Sequence, residues 1–433
     1  MKARFAVRPL AAAICVAAML PLPSFATDGY FAHGYGMRAK GMGGASYGLG
    51  LDAFGGANNP AGMAFAGTRV DVGVDWFSPR RSAERTGAAP GLNGSVDSDS
   101  TNFFIPEFGF NYQMQPDLAL GITVYGNGGM NTDYKTGQLN CGAGPNTANM
   151  LCGSTSLGVD LMQLMIAPTL AWQFAPKQAV GVAPIFAYQR FKAEGLQAFD
   201  NAPGFPPFTS APGFVTNKGY DSSTGFGFRI GYQGEFDGFR VGAVYSSKMS
   251  MGNFDEYKGL FAEQGGFDIP ASYGLGFAYT GMKDWTLAFD WVYIDYSGIP
   301  SIANQALTGA PLGASNGPGF GWQSVNVFKL GAEYQLNPAW TLRAGYNYSG
   351  NPIDSANVTF NIIAPGVVQH HLTLGFTYNM PDKSTITMAY MHAFDNSVTG
   401  PSLFNAVLGP GAGGNEKISM YQNSLGIAWG KKF

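Results

Sequence analysis

Residues 285–291 read Trp285-Thr286-Leu287-Ala288-Phe289-Asp290-Trp291, so bulky apolar side chains alternate with small or polar ones. An alternation of period two is typical of a β-strand whose two faces meet different surroundings. The same pattern returns at residues 226–232, 340–348 and 372–378. The sequence therefore predicts a chain made mainly of strands, each with one apolar face.

The composition indicates what these apolar faces meet. Charged residues make up 12% of the chain and aromatic residues 14%, there are 62 glycines, and no run of 18 consecutive apolar residues follows residue 26. Without apolar helices, a membrane can be crossed only by a closed barrel that pairs its backbone groups. Aromatic residues crowd the ends of the alternating segments, as membrane-interface girdles require. A soluble β-sandwich would also alternate, but the aromatic bands favour a transmembrane barrel.

Turn signals set the expected number of strands. Six short polar connections lie at residues 115–117, 176–177, 235–238, 282–284, 337–338 and 381–383. Seven longer irregular stretches lie near residues 79–100, 128–156, 196–218, 251–267, 298–317, 351–364 and 398–416. Single-chain outer-membrane barrels have an even strand number and short periplasmic turns. We predict an all-β fold, a 14-stranded antiparallel transmembrane β-barrel over residues 68–433.

The N-terminus predicts export. Lys2, Arg4 and Arg8 precede an apolar run that ends at Ala26 in a small-x-small pattern. This arrangement is typical of a cleaved signal peptide, so residues 1–26 are assigned to one. The remaining chain has 22 basic residues against 28 acidic ones, which argues against a nucleic-acid partner. We expect the protein in the outer membrane of a Gram-negative cell.

Residues 27–67 break the alternating pattern because they are rich in glycine. Glycine permits tight, closely packed chain paths. The segment can fold as an N-terminal hatch, or plug, inside the lumen, or it can be a disordered periplasmic tail. Apolar residues such as Met37, Leu49 and Phe54 favour the hatch.

Cys141 and Cys152 are the cysteines that remain after signal cleavage. In an oxidising compartment such a pair predicts a disulfide that staples one loop, with two free thiols as the alternative.

No catalytic or metal-binding pattern is recognisable. His370 and His371 are adjacent, so in a strand they point to opposite faces and cannot share a metal from one side. His33 and His392 are isolated, and the chain lacks a Gly-x-Ser-x-Gly nucleophile elbow. We expect no enzyme activity, no metal and no cofactor.

Several motifs resemble one known family. They are the stretch at 36–45, Asn59-Pro60-Ala61, the run at 260–270, the strand at 340–345 and the segment at 389–392. In this order they resemble the FadL/TodX (OMPP1) outer-membrane transporters for long-chain fatty acids and other hydrophobic compounds. The resemblance implies a plugged 14-stranded barrel and assigns Arg38, Gly41, Asn59, Pro60 and Ala61 to the hatch.

The resemblance also implies a transport route. Extracellular loops capture the substrate, a lumenal pocket holds it, and it leaves sideways where the third strand kinks inward. Here the third strand begins at Leu118, and Gly126, Gly128 and Gly129 can host the kink or can simply begin a loop.

Candidate ligand-binding residues come from two sources. Arg190 and Lys192 resemble the family's basic strand-end position that meets the ligand headgroup, although Arg190 shares its strand phase with Phe186 and Tyr188. Residues 251–267 have apolar spacings of three and four, which favour an amphipathic helix. An exposed apolar face there, or in loop 196–218, predicts a landing site for hydrophobic substrates. The alternative is that the loops pack on one another over the barrel mouth. The loop candidates are Phe254, Leu260, Phe261, Phe205 and Phe208.

The expected partners are a long-chain fatty acid or another hydrophobic small molecule, outer-membrane lipid and lipopolysaccharide. The terminal aromatic residue, Phe433, is similar to the signal that outer-membrane assembly machinery reads. The main rival function is a general diffusion porin, which would lack a plug and have an open, charged channel.

Overall fold

The computed structural model describes residues 27–50, 52–141, 147–201 and 208–433. The predicted signal peptide, residues 1–26, lies outside the described residues. Fourteen long strands form the wall. They are β1 Arg69–Thr86, β2 Phe103–Gln115, β3 Leu118–Tyr134, β4 Leu157–Ala175, β5 Gln178–Glu194, β6 Asp221–Phe236, β7 Phe239–Ser246, β8 Ser272–Tyr279, β9 Trp285–Ile294, β10 Val325–Gln335, β11 Trp340–Ser349, β12 His370–Asn379, β13 Ser384–Pro401 and β14 Asn415–Lys432.

Every strand pairs antiparallel with its neighbour in sequence, and β14 pairs with β1 along its length to close the barrel. The register of this closure runs from Arg69 opposite Lys432 to Thr86 opposite Asn415. Both chain ends therefore lie at the short-turn end of the barrel. The predicted 14-stranded antiparallel β-barrel is confirmed, with six short turns and seven long loops.

The two faces of the strands separate as the alternation predicts. Trp285 and Phe289 are exposed on the outer wall, whereas Asp290, the residue after Phe289, is 1% exposed. In β11 the outward Leu342 contrasts with the inward Arg343 in the same way. The outward apolar face is the surface that a bilayer can cover without leaving backbone groups unpaired.

The strands differ in length, which corrects some of the loop boundaries. β7 to β12 have 8 to 11 residues, close to the length that crosses a bilayer, whereas β1, β13 and β14 have 18. The sequence-based loop near 79–100 therefore starts too early, because β1 stays paired with β14 up to Thr86. Cross-strand pairing, which is not local in sequence, extends these strands.

Short helices occupy the hatch and the long loops. They are α1 Met37–Gly41, α2 Met63–Ala66, α3 Ala262–Gly265, α4 Pro300–Ala303, α5 Val358–Asn361 and α6 Phe404–Leu408, with 3-10 turns at Pro60–Gly62, Gln197–Phe199, Asp255–Tyr257, Tyr296–Gly298 and Ser355–Asn357. Two further short strands, Gly94–Asp97 and Ser250–Met251, pair with β1 and β6. None of the helices in the described ranges is long and apolar enough to span a membrane.

Residues 27–50 and 52–67, called the hatch below, pack against inward-facing wall residues. Lys40 forms an ion pair with Asp75 of β1, with 2.6 Å between Nζ and Oδ2. Asn59 donates hydrogen bonds from Nδ2 to the carbonyls of Tyr47 and of Tyr232 in β6. A side chain at Gly231 would overlap the Asn59 amide, so a wall glycine makes room for this contact. These contacts attach the segment to the inner face of the wall at β1 and β6.

The predicted hatch residues take defined places within it. Asn59 caps the turn Pro60–Gly62, since its Oδ1 accepts from the Ala61 amide at 3.1 Å. The carbonyl of Gly41 accepts from Thr373 of β12 at 3.1 Å. Arg38 lies beside Arg69 at the short-turn end of the lumen.

Candidate functional site

A large apolar groove lies between the long loops at the end of the barrel opposite the short turns. It encloses about 2070 Å³, including its open mouth. Five or more loops contribute to its wall, and its largest side chains are Leu92, Phe199, Phe208, Leu307, Leu312, Phe360, Phe404 and Leu408. We call this space the outer groove.

A smaller pocket, the inner pocket, lies below the outer groove and encloses about 460 Å³. Phe191 of β5, Phe261 at the start of α3 and Ile363 line its deeper part. The two spaces share Phe199, Leu312, Pro318 and Phe360. They therefore adjoin, and together they form an apolar region that extends from the loops toward the lumen.

This apolar region is uncharged. Among the described residues, no Lys, Arg, Asp or Glu lines either space, and Ser301 is the polar residue of the inner pocket. The undescribed loop segments 142–146 and 202–207 contain no charged residue either. The nearest buried cation, Arg85, stacks over Phe404 and pairs with Glu416. A carboxylate buried here would find no cationic partner, which is energetically costly.

A disulfide joins Cys141 to Cys152, as predicted, and both residues line the outer groove. It closes part of the loop between β3 and β4. Crosslinking a loop of this length stabilises it by about 3 kcal/mol, mainly by restricting the open chain.

Replacement of both cysteines by serine is expected to loosen this wall of the groove. We expect faster cleavage of the loop that contains Cys141 in limited proteolysis, with the barrel still folded as judged by heat-modifiable gel migration. The wild-type chain treated with a reductant serves as the matched control. Equal cleavage rates of the variant and the oxidised wild type would contradict a stapling role.

The strand pairing of the wall is interrupted beside the third strand. β2 and β3 pair from Gln115 opposite Leu118 to Phe108 opposite Val124, and in the described chain their pairing stops there. The rest of β2 stays paired with β1, while β3 stays paired with β4 up to Tyr134. The two strands therefore diverge toward the loop end of the barrel.

A β-bulge marks the divergence. Gly126 pairs with Leu164 and Gly128 with Gln163, so Asn127 is the extra residue. The hatch bonds to this displaced segment: the Ala32 amide donates to the Asn127 carbonyl at 3.1 Å, and the Gly129 amide donates to Tyr30. A Cβ at Gly128 would overlap the Tyr30 carbonyl oxygen, so only glycine fits. The kink glycines begin a bulge rather than a loop.

A cavity of about 410 Å³ lies between the hatch and this divergence. Its apolar side is formed by Phe77, Ile105 and Tyr125. Its polar side holds Lys40 with Asp75, and Glu107, whose Oε2 accepts from the Gly36 amide at 3.1 Å.

Packed aromatic rings separate the inner pocket from this cavity. The ring centroids of Phe261 and Phe267 are 4.9 Å apart, those of Phe267 and Tyr30 are 6.2 Å apart, and those of Tyr30 and Phe31 are 5.2 Å apart. Phe31 also bridges to Gly128 of β3. A continuous line of apolar contacts therefore runs from the inner pocket to the bulge. The packed rings close this route in the structure.

The structure contradicts the headgroup role expected for Arg190 and Lys192. Both lie on the outer face of β5, in phase with Phe186, and line none of the cavities above. Their cationic groups flank the ring of Tyr220, at 4.0 Å and 5.4 Å from its centroid. The strand parity predicts this outward placement.

The loop at 251–267 is not the amphipathic helix that its spacing predicts. It contains the turn Asp255–Tyr257 and the short α3, in which Glu263 and Gln264 have positive φ. Phe254 is fully buried and packs against Phe191, so it is not an exposed landing site. This segment instead follows the alternative expectation, in which the loops pack on one another over the barrel mouth.

The remaining candidates divide between the two spaces. Leu260 and Phe261 line the inner pocket, and Phe208 lines the outer groove. Phe205 lies outside the described residues. Phe199, which belongs to the apolar set expected in loop 196–218, lines both spaces. Sequence reasoning missed Phe191 and Phe360; of these, the alternation of β5 would have placed Phe191 inward.

Lumenal charges outside the apolar region pair with the wall or the hatch. Arg343 pairs with Glu333 at 2.6 Å, and Arg229 donates to hatch carbonyls, including that of Gly56 at 2.7 Å. In the described part of the chain, no group of three or more His, Cys, Asp or Glu side chains is placed to hold a metal ion.

Comparison with known proteins agrees with this architecture. The profile of one family, described as outer membrane protein transport protein (OMPP1/FadL/TodX), matches residues 24–403. The chain belongs to the OMPP1/FadL/TodX family. Members of this family are outer-membrane transporters of hydrophobic compounds. They are channels, not enzymes.

Solved structures of OMPP1/FadL/TodX relatives share the fold. The toluene transporter TodX of P. putida is 18% identical, with a TM-score of 0.69, over 93% of this chain and 99% of that chain. A Pseudomonas aeruginosa FadL homologue is 15% identical, with a TM-score of 0.68, over 94% and 100%. The Ralstonia pickettii toluene transporter TbuX is 16% identical, with a TM-score of 0.65, over 93% and 99%. No curated protein sequence gives a significant match.

Proposed function

We propose that this chain mediates passive uptake of uncharged hydrophobic small molecules across the outer membrane, with capture in the outer groove and lateral release beside β3. The observation that supports the proposal is that the outer groove and the inner pocket adjoin and that no charged residue of the described chain lines either of them. An apolar compound gains free energy on leaving water for such a lining, at about 25 cal/mol per Å² of apolar surface buried.

The absence of a cation from the described lining of the outer groove and the inner pocket favours hydrocarbons over fatty acids. A long-chain fatty acid enters as a carboxylate, which needs a positively charged or hydrogen-bonding partner when buried. Arg190 and Lys192 lie on the opposite face of the wall and do not supply one. The expected fatty-acid substrate is therefore the less favoured of the two classes.

The geometry around the bulge supports lateral release. Past Phe108 and Val124 the wall lacks β2–β3 pairing, and Phe77 and Ile105 give the cavity behind it an apolar side. A compound that reaches this cavity enters the bilayer without crossing the lumen below the hatch. Movement of Tyr30 and Phe31, which belong to the hatch, opens the path from the inner pocket.

A general diffusion porin is less well supported. A porin needs an open, polar channel along the barrel axis. Here Lys40 and Asn59 of the hatch bond to the wall, which supports a hatch that obstructs such a channel. Planar-bilayer recordings distinguish the two functions, because a porin gives a steady ion conductance.

Uptake by cells that lack their own hydrophobic-compound carriers tests the proposal. Cells that express this chain are expected to take up labelled toluene faster than cells with an empty vector, with a smaller gain for labelled oleate. Replacement of Phe360, which lines both spaces, by lysine should lower toluene uptake about tenfold, since the charge sits in an apolar passage.

The matched control is Leu307→Lys. Leu307 lines the rim of the outer groove and is 64% exposed, so a lysine there reaches water and should leave toluene uptake nearly unchanged. Faster uptake of oleate than of toluene by the wild type would contradict the substrate class. Equal uptake of both compounds with and without the chain would contradict the transport function itself.

A further inference from the structure

Four cationic side chains converge at the short-turn end of the lumen, far from the apolar region. Arg38 of the hatch, Arg69 of β1, Lys383 of the turn before β13 and Lys432 of β14 line one open pocket of about 610 Å³. Ser384 and Thr385 add hydroxyl groups to its wall. We call this space the cationic pocket. By the topology of the barrel it faces the periplasm.

The carboxylates around the cationic pocket are already engaged. Asp71 pairs with Arg69 at 2.6 Å, and Asp382 pairs with Lys431 at 2.7 Å, outside the pocket lining. Farther in, Glu333 pairs with Arg343, and Asp52 accepts from the amide of Phe54 at 3.0 Å. In the described residues, Lys383 and Lys432 take part in no ion pair. The lining therefore carries a positive excess.

Bringing like charges together has an electrostatic cost. Burial, together with the neighbouring Arg69 and Arg343, lowers the pKa of Arg38 in the hatch to about 10. Arg69 and Lys432 lie directly opposite each other in the β1–β14 register, so backbone pairing holds two of the cations close. Folding alone does not need four cations from separate chain segments in one cavity. A bound anion would relieve the repulsion.

We propose that the cationic pocket binds a phosphate group. The ammonium groups of Lys383 and Lys432 offer donors for phosphate oxygens. Arg38 and Arg69 add positive charge beside them, while Arg69 directs Nε and Nη2 to Asp71. Pyrophosphate and phosphate monoesters carry more than one negative charge at neutral pH, and the phosphodiester of a phospholipid carries one; both present more oxygens to a cluster of cations than a carboxylate does. The phosphate belongs either to a soluble periplasmic anion or to a phospholipid headgroup of the inner leaflet.

The site is independent of the proposed transport function, since none of its residues lines the outer groove or the inner pocket. Arg38 of the hatch, Arg69 of β1 and Lys432 of β14 meet in this pocket. The pocket therefore connects the hatch to the first and last strands of the barrel. An anion bound there stabilises the docked hatch, because it binds the assembled pocket and not its separated parts.

Calorimetric titration of the purified full chain with sodium pyrophosphate, at constant ionic strength in a zwitterionic detergent, tests the soluble source. Saturable binding is expected for the wild type and at least about tenfold weaker binding for Lys383→Gln/Lys432→Gln. Lys283→Gln is the matched control, because Lys283 lies in another short turn and does not line the pocket. Its binding should equal that of the wild type.

A second arm tests the lipid source. Native mass spectrometry of the chain from nanodiscs that contain phosphatidylglycerol should retain the lipid in the wild type and in Lys283→Gln, and lose it in the double variant. Retention that pyrophosphate displaces assigns the headgroup to the same pocket. Wild-type binding of neither probe, or equal binding by the double variant, would overturn the proposal. Heat-modifiable gel migration verifies that each variant is folded.

Discussion

Deletion of Asn127 is expected to lower uptake of hydrophobic compounds at least about tenfold, to near the level of cells without the protein, because it removes the β-bulge. Asn127 is the extra residue between Gly126, which pairs with Leu164, and Gly128, which pairs with Gln163. Without it, β3 keeps all its partners on β4 and continues straight. The straightened strand can then pair with Phe103–Glu107 of β2 and close the wall.

Labelled toluene uptake measures this effect, with surface expression and heat-modifiable migration verified in parallel. Asn127→Ala is the matched control. It removes the side-chain bonds to Gln163 and Tyr35, at 3.0 and 3.1 Å, but keeps the residue count and hence the bulge. We expect this variant to retain most of the uptake. Wild-type uptake by a deletion variant with a straight third strand would exclude the lateral route.

Replacement of Arg85 by methionine is expected to destabilise the extracellular cap by about 3–5 kcal/mol, since it leaves a buried carboxylate without its cation. Arg85 and Glu416 are both fully buried, and Arg85 Nε donates to Glu416 Oε1 at 2.9 Å. Arg85 also donates to the Met150 carbonyl at 2.7 Å, while Glu416 accepts from Ser402 at 2.9 Å and from Thr359. One ion pair thus ties three loops around the outer groove.

Hydrogen exchange of the loops that contain Met150, Thr359 and Ser402 measures the loss, since local opening raises the exchange rate. The double variant Arg85→Met/Glu416→Leu is the control. It removes both charges and should recover most of the protection, as replacement of a whole buried pair by apolar residues often does. Equal protection of the single variant and the wild type would contradict this prediction, because it would show that the loops stay stable when Glu416 lacks its cation.

Strand phase explains why the headgroup prediction for Arg190 and Lys192 failed. In β5 the sequence places Arg190 and Lys192 in phase with Phe186, and the structure keeps them outside. The inward residue between them, Phe191, lines the inner pocket. The headgroup expectation was wrong because it relied on a resemblance in residue type against the period-two pattern. The local pattern was the stronger guide, because in a closed barrel it fixes the face of every residue.

Loop structure was predicted less well. The spacing of Phe254, Tyr257 and Phe261 fits one helix, but these side chains turn inward and pack around Phe191 instead. Burying aromatic surface against another element outweighs the intrinsic preference of a short segment for helix. The disulfide was predictable because two cysteines in one exported loop have few other partners.

By itself, the sequence determined the strands, their number and the face on which each side chain lies, because alternation and turn residues act over a few neighbouring positions. Only the tertiary structure decided which residues meet. The outer groove joins residues as far apart as Leu92 and Phe404, and the cationic pocket joins Arg38 to Lys432. Barrel closure brings such segments together through backbone pairing between distant strands, and no local pattern records that pairing.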